Sequence, residues 1–351
     1  MRSSGAALLL GGALLMAACG PARPGPPPVA EPSASTAAPA STAAPASTAA
    51  PASTPAPTST VAPASTPAPT STVAPAVPVA APPVPPPLPA GVVVGKGWTA
   101  RLLAKGLPGP DDLAALPDGT LYFSDITAGT VGALPPRGGT PTVLAAHLAV
   151  PEGIAVLPGG ALLVVEQGRN RVLRVDPATG VTTPWLSLAN PTNLYGVDGI
   201  TLAAADLLIP DSPVGILLRQ AVVDGRPVGA LVRLGGGMHR PTSAVRVGAT
   251  IYVTDETGSA LDALPAGGGA PASIVAHLPS PDDVVAGPGG LLLVACLDGA
   301  VRAVDPATGT ATPILTGLGS PQGLAPDGSG FAVADEAQGR IYLLRAGRGG
   351  G

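Results

Sequence analysis

The repeating unit of the chain is clearest in residues 151–188, which read PEGIAVLPGGALLVVEQGRNRVLRVDPATGVTTPWLSL. Four short apolar runs are separated by turns rich in glycine, proline and aspartate, the residue types that favour tight-turn backbone angles. The run at 161–165 is apolar throughout, which predicts a strand covered on both faces of its sheet. The unit therefore predicts a four-stranded antiparallel sheet that packs against a neighbour on each side.

Five further copies of this unit follow the same pattern. The residue that precedes the first strand of each copy recurs at intervals of 40 to 46 residues, at Pro110, Pro151, Val197, Pro241, Pro281 and Pro321. A period of this length built from short strands is typical of a β-propeller, with one four-stranded blade per repeat. The sequence predicts an all-β, six-bladed β-propeller over residues 93–351, preceded by a disordered linker.

The propeller sequence lacks one strand at its C-terminal end and has one extra strand-like segment at its N-terminal end. The sixth copy stops after its third strand, Ile341 to Arg345, whereas a spare strand-like segment at 97–105 lies upstream of the first copy. Pairing the two would remove two free sheet edges, which are prone to aggregation. We therefore predict that residues 97–105 complete the last blade.

The first eighteen residues have the features of an export signal. Arg2 precedes an apolar run at 6–15 that is too short to span a bilayer, so residues 1–18 are predicted to be a signal peptide. The segment LMAACG at 15–20 resembles a bacterial lipobox, which implies lipidation of Cys19 and attachment to a membrane. The expected location is the cell envelope, at the outer membrane or facing the periplasm where the cell has one. An ordinary secretory signal with an incidental Cys19 is the alternative.

Residues 19–92 consist mainly of proline, alanine, serine, threonine and valine. The twelve residues at 51–62 are repeated without change at 63–74. Frequent proline and small side chains bury too little surface to offset the entropy of ordering, so this segment is predicted to be a disordered spacer.

The composition excludes some classes of function. The net charge is −4 and only 2% of the residues are aromatic, so the chain lacks the basic and stacking surfaces of nucleic-acid-binding proteins. Apart from Cys19 the only cysteine is Cys296, which leaves the propeller without an internal disulfide. We expect a monomer.

The blade sequence resembles a known repeat. Residues 321–325 (PQGLA), followed by strand-like segments at 331–335 and 339–342, repeat the pattern of residues 151–175. This pattern resembles the NHL repeat and the gluconolactonase/regucalcin superfamily of six-bladed propellers. The resemblance implies the fold, whereas the same scaffold supports both binding proteins and hydrolases.

Two sets of residues are expected at one mouth of the central channel. The first set directly follows the six recurring positions and comprises Asp111, Glu152, Asp198, Thr242, Asp282 and Gln322. The second set ends each second strand and comprises Asp125, Glu166, Asp211, Asp255, Cys296 and Asp335. We interpret the carboxylates of the second set as caps of the turns between the second and third strands.

The first set is the candidate metal site. The resemblance implies that related lactonases carry metal ligands at these positions. Asp282 matches the Asp of the family, Asp111 stands where the family has Glu, and Thr242 stands where the family has Asn. Carboxylates suit a divalent cation, so Asp111, Glu152, Asp198 and Asp282 are the candidate ligands of Ca²⁺, Mg²⁺, Mn²⁺ or Zn²⁺. His239, just before the fourth blade, is the candidate general base.

Two functions follow from these observations. The first is a non-enzymatic binding or scaffold module that uses the propeller face to hold a protein or a small molecule. The alternative is a metal-dependent, gluconolactonase-like hydrolase that uses the acidic residues at the channel mouth.

Overall fold

The computed structural model describes residues 87–189, 195–328 and 330–347. The predicted signal peptide, Cys19 and the linker as far as residue 86 lie outside the described residues, as do residues 190–194 of the third repeat. Within the described ranges, no helix is long and apolar enough to cross a membrane.

The described residues form 25 β-strands. In chain order these are β1 (Val93–Val94), β2 (Trp98–Lys105), β3 (Pro110–Ala115), β4 (Leu121–Asp125), β5 (Thr130–Leu134), β6 (Thr142–Ala145), β7 (Pro151–Val156), β8 (Leu162–Glu166), β9 (Arg171–Val175), β10 (Thr182–Ser187), β11 (Thr201–Ala203), β12 (Asp206–Asp211), β13 (Ile216–Val223), β14 (Arg226–Gly236), β15 (Pro241–Val247), β16 (Thr250–Asp255), β17 (Ala260–Pro265), β18 (Ala272–Ala276), β19 (Pro281–Ala286), β20 (Leu292–Cys296), β21 (Ala300–Asp305), β22 (Thr310–Thr316), β23 (Pro321–Asp327), β24 (Gly330–Asp335) and β25 (Arg340–Ala346).

These strands build six antiparallel sheets, one for each sequence repeat. Blades one to four follow the order of the chain, from β3–β6 to β15–β18. Blade five contains β19–β22 with β1 added at its outer edge, and blade six contains β23–β25 with β2. The six-bladed β-propeller predicted from the repeat period is confirmed.

The last blade is closed by the N-terminal strand. β2 pairs antiparallel with β25, from Trp98 opposite Ala346 to Lys105 opposite Arg340. Leu103 and Ala104 of β2 are buried in the cluster that joins blade six to blade one. The prediction for residues 97–105 is confirmed. The short strand β1, which pairs with β22 on blade five, was not predicted.

The hydrophobic core is divided among the blade interfaces. Six clusters of buried residues are present, one between each pair of neighbouring blades around the ring. The strand Leu162–Glu166 is buried at every position, because its two faces contact different neighbours. Apolar burial between blades thus supplies the stabilisation that a disulfide-free chain needs.

The innermost strands approach one another closely around the channel. The Gly153 amide donates to the Asp198 carbonyl at 3.2 Å, and the Gly199 amide donates to the Thr242 carbonyl at 2.8 Å. A Cβ atom on Gly199 would lie 2.7 Å from the Thr242 carbonyl oxygen, so a side chain does not fit there. These two contacts hold Glu152 and Asp198, the residues that precede the two glycines, at the channel.

Candidate functional site

The innermost strand of each blade places the candidate residues. In five blades the pairing with the second strand shifts register just after the recurring proline, for example between Pro110 and Leu113 and between Pro281 and Val284. Such a bulge changes the direction of the two residues that it contains. The residues concerned include Asp111 and Asp112 in blade one and Asp282 and Asp283 in blade five.

The structure brings the four predicted ligands together. Asp111, Glu152, Asp198 and Asp282 are all buried, with 4% to 9% of their surface exposed, and their charges act on one another across the channel. We call these four carboxyl groups, with Arg240, the acidic mouth. A concentration of buried carboxyl groups is notable because only 11% of the chain is charged.

Asp111 and Glu152 form a pair of carboxyl groups joined by a hydrogen bond. The pKa of Asp111 is raised to about 7, chiefly by burial; the hydrogen bond with Glu152 opposes the rise and the charge of Asp198 adds to it. Burial and the charge of Asp111 raise the pKa of Glu152 well above its usual value. One proton shared between two close carboxyl groups is the arrangement expected when both cannot ionise together.

Arg240 is the cation of the acidic mouth. Its Nη2 lies 2.7 Å from Asp198 Oδ2, its Nη1 contacts Glu256, and its guanidinium stacks 4.9 Å from the centre of the Tyr195 ring. Its Nε is buried without an acceptor among the described residues. Burial raises the pKa of Asp198 to about 6, although Arg240 opposes that rise.

Asp282 is held differently from the other three. Burial raises its pKa well above the usual value, the charges of Asp198 and Asp111 add to this effect, and no hydrogen bond contributes. Thr242, at the equivalent position in blade four, is 1% exposed and donates to the Asp282 carbonyl at 2.7 Å. Thr242 therefore links two blades.

The residues that follow the first set were missed by the sequence interpretation. Asp283 Oδ1 accepts from Ser243 Oγ at 2.5 Å, and Asp283 Oδ2 accepts from the Leu324 amide at 2.6 Å, so one carboxylate links blades four, five and six. Asp112 is its counterpart in blade one. The available signal was the doublet of aspartates at 111–112 and 282–283, where three other blades carry glycine.

The acidic mouth has the type of donor atom that a divalent cation needs, but the donors are not arranged to hold one. The acidic mouth offers hard oxygen donors, which suit Ca²⁺ and Mg²⁺. In the part of the chain that the structure describes, however, no three His, Cys, Asp or Glu side chains converge closely enough to hold an ion. Arg240 already occupies one side of Asp198. The side chains as they stand do not form a metal centre, and we derive no chemical step through one.

Neither His239 nor Cys296 forms a hydrogen bond with the four carboxyl groups of the acidic mouth among the described residues. The His239 side chain is 73% exposed, and its Nδ1 lies 3.1 Å from Asp255 Oδ2, so its partner is a carboxylate of the second set. Cys296 is fully buried, and burial raises its thiol pKa to about 11. A protonated, enclosed thiol is not a nucleophile.

In the described ranges, four carboxylates of the second set accept backbone N–H bonds, but only Asp125 and Asp255 do so in the turn between the second and third strands. Asp335 Oδ1 accepts from the Gly319 and Ser320 amides at 2.9 and 3.0 Å, and Asp125 Oδ1 accepts from the Ala128 amide at 2.8 Å. Glu166 accepts from the Ala149 amide at 2.9 Å. The bonds of Asp335 and Glu166 hold connections between blades, whereas the bond of Asp125 caps the turn between β4 and β5. Asp211 differs, because its Oδ1 is buried without a partner among the described residues and burial raises its pKa to about 6.

The class of protein that these features define is a six-bladed β-propeller with an acidic channel mouth. Its structural neighbours are gluconolactonase- and regucalcin-like propellers. A gluconolactonase from Xanthomonas campestris superposes with a TM-score of 0.60 at 19% identity, covering 70% of this chain and 89% of that one. The calcium-binding protein regucalcin from Agrobacterium tumefaciens gives 0.59 at 19% identity, with coverages of 72% and 96%.

A virginiamycin B lyase from Staphylococcus aureus shares the fold as well, with a TM-score of 0.53 at 14% identity over 71% of this chain and 98% of that one. At these identities the likeness establishes the fold alone. No family profile and no curated protein sequence matches the chain.

Proposed function

We propose that the acidic mouth is the active site of a lactonase-like hydrolase. The observation that carries the proposal is the Asp111–Glu152 pair, two buried carboxyl groups that share a hydrogen bond and have raised pKa values. A pair of carboxyl groups with raised pKa values supplies both partners of general acid–base catalysis. The gluconolactonases among the structural neighbours support the choice of a cyclic ester as substrate.

The proposed reaction uses the pair in sequence. Asp111 accepts a proton from water as the water oxygen adds to the ester carbonyl carbon. Glu152 donates its proton to the ring oxygen as the carbon–oxygen bond breaks, which gives the hydroxy acid. The hydrogen bond between the two carboxyl groups then returns the proton from Asp111 to Glu152. Arg240 places a positive charge beside Asp198, which favours negative charge developing on the substrate carbonyl oxygen.

A pH-stat assay of the full chain with glucono-1,5-lactone tests this proposal. Glu152→Gln and Asp111→Asn should each lower kcat/KM by about 10²- to 10⁴-fold, the usual range for loss of a general acid or base. Asp305→Asn is the matched control, because Asp305 caps an exposed turn far from the channel by accepting from the Ala307 amide at 2.9 Å. Equal activity in all three variants would contradict the proposal.

The second candidate is the binding or scaffold module attached to a membrane through a lipid on Cys19. It is favoured by the absence of a converged metal centre in the described residues, because metal ligands are what the resemblance implies for the hydrolase. A folded protein that accelerates no lactone hydrolysis, with or without divalent cations, would favour this candidate.

The predicted cation can be tested independently of activity. Ca²⁺, Mg²⁺, Mn²⁺ and Zn²⁺ are each added to the full chain, and the melting temperature is recorded. A cation that binds only the folded state stabilises it by about 2.7 kcal/mol at a hundredfold excess over its Kd. Asp282→Asn removes a candidate ligand charge and should reduce any such shift. If no cation shifts the wild-type transition, the prediction of a cation site is wrong.

A further inference from the structure

Three arginines lie close together where blade six meets blade one. On blade six, Arg101 of β2 is directly opposite Leu343 of β25, so the two side chains share a face of the sheet. Leu343 is buried in the cluster between blades six and one, and Arg345 lies on the same face because side chains alternate along a strand. The third arginine, Arg137, follows β5 in blade one. We call Arg101, Arg137 and Arg345 the arginine cluster.

Two hydrogen bonds tie the turn that carries Arg137 to the strand that carries Arg101. The Gly139 amide donates to the Leu103 carbonyl of β2 at 3.1 Å. Arg101 Nη1 donates to the Arg137 carbonyl at 2.8 Å. The backbone positions of the arginines are therefore set by the contact that joins the last blade to the first.

The positive charge of the arginine cluster exceeds the negative charge beside it. Among the described residues, none of the three arginines forms a salt bridge. The pKa of Arg101 is lowered by burial and by the positive charges of Arg345 and Arg137, whereas the negative charge of Asp327 opposes this effect. Asp327 also acts on Arg345, so a single carboxyl group is shared by two arginines. In a chain of net charge −4, this local excess of positive charge attracts anions.

The arginine cluster lies at the opposite end of blade six from the acidic mouth. Arg340, at the start of β25, pairs with Asp335, which in turn pairs with Pro321 at the end of the blade where the acidic mouth lies. Arg345 is five residues further along β25. At a strand rise of ~3.3 Å per residue this separation is about 16 Å.

We propose that the arginine cluster binds a phosphate group. Each guanidinium group presents a planar fork of N–H donors that matches the oxygens of a phosphate, and groups of arginines recognise phosphate in this way. Arg101 is half-buried, whereas Arg137 and Arg345 are exposed, so a ligand reaches the cluster from solvent. A dissolved phosphoester and the head group of an anionic lipid carry the same chemistry. The site does not depend on lactone hydrolysis.

Two binding measurements distinguish the sources of the phosphate. Titration calorimetry of the full chain with inorganic phosphate at pH 8 measures the dissolved anion. Sedimentation with vesicles of phosphatidylglycerol and phosphatidylcholine, against phosphatidylcholine alone, measures the lipid head group. The vesicle experiment uses the Cys19→Ser chain, so that a lipid on Cys19 does not contribute. Binding in either measurement should weaken as salt is raised, because exposed charges are screened. Absence of binding in both, or binding that is independent of salt, would overturn the proposal.

Variants locate the site. Arg137→Gln and Arg345→Gln remove exposed charges and should each weaken binding about threefold, and the double variant about tenfold. Arg226→Gln is the matched control, because it removes an exposed arginine from β14 in blade three and changes the net charge of the chain by the same amount. It should leave binding unchanged. Wild-type binding by the folded double variant, or an equal loss in Arg226→Gln, would overturn the proposal.

Discussion

Replacing Asp111 with Asn should stabilise the protein at alkaline pH and not at acidic pH. The folded protein raises the pKa of this carboxyl group from 3.8 to about 7, chiefly by burial. Below pH 3.8 the carboxyl group is protonated in both states and contributes nothing to the pH dependence. Between pH 3.8 and 7 the unfolded chain releases the proton and the folded protein retains it, so stability falls as pH rises. Above pH 7 the Asp111 carboxyl is ionised in both the folded and the unfolded state, and the folded state is destabilised by the full free-energy cost of burying that charge.

The size of this cost follows from the shift. A difference of about three pKa units, at about 1.36 kcal/mol per unit, corresponds to about 4 kcal/mol above pH 7. The proton is shared with Glu152, so the titration belongs to the pair and part of the cost remains when one partner is neutralised. For Asp111→Asn we expect a gain of about 2–4 kcal/mol at pH 8 and little change at pH 4.

The assay is urea unfolding of wild type and variant at half-unit steps from pH 4 to 8, compared through the midpoints and the m-values. Asp118→Asn is the control, because Asp118 is exposed and accepts from the Thr120 amide at 2.9 Å. That bond lowers the pKa of Asp118, so its contribution to stability is lost as pH falls, the opposite trend. A constant difference between Asp111→Asn and wild type across the whole pH range would refute the reasoning.

Three further predictions concern the closure of blade six, membrane attachment and the Asp283 carboxylate that links three blades. Deleting residues 97–105 removes Leu103 from the core and frees the edge of β25, so the melting temperature should fall and aggregation increase; an unchanged melting temperature would contradict the closure role. Cys19→Ser should release the protein from membranes, and a variant that still sediments with membranes after a high-salt wash would argue against the anchor. Asp283→Asn leaves Ser243 Oγ and the Leu324 amide with a weaker acceptor, and should cost about 1–3 kcal/mol by urea unfolding. Wild-type stability in that variant would show that the link between blades four, five and six is dispensable.

The fold was predictable because its determinants are local and repeated. Each blade carries its own turns, and the spacing of residues such as Pro151 and Pro281 reports the repeat directly. The closure of blade six by residues 97–105 was predictable because the sixth repeat lacks its fourth strand and a strand-like segment precedes the first repeat. β1 was not predictable, since two valines at 93–94 have no periodicity and their partner, β22, lies more than two hundred residues away in the chain.

The site was predictable only in part. Topology placed Asp111, Glu152, Asp198 and Asp282 at one mouth, and the structure brings them together there. The pairing of individual side chains depends on bulges and on the tilt of each blade, which spacing does not encode. Arg240 illustrates the difference, because it reaches Asp198 across 42 positions of sequence from the connection before blade four.

The N-terminal strands also determine how the propeller responds to a force applied at residue 87. Force applied at residue 87 passes through β1 before it reaches β2, because β1 comes first in the chain. β1 is held by two residue pairs and by the packing of Leu88, Val92 and Val94, whereas β2 is held by a ladder that runs from Trp98 to Lys105. The small attachment on blade five therefore gives way first, and the ring stays closed under loads that have already detached β1.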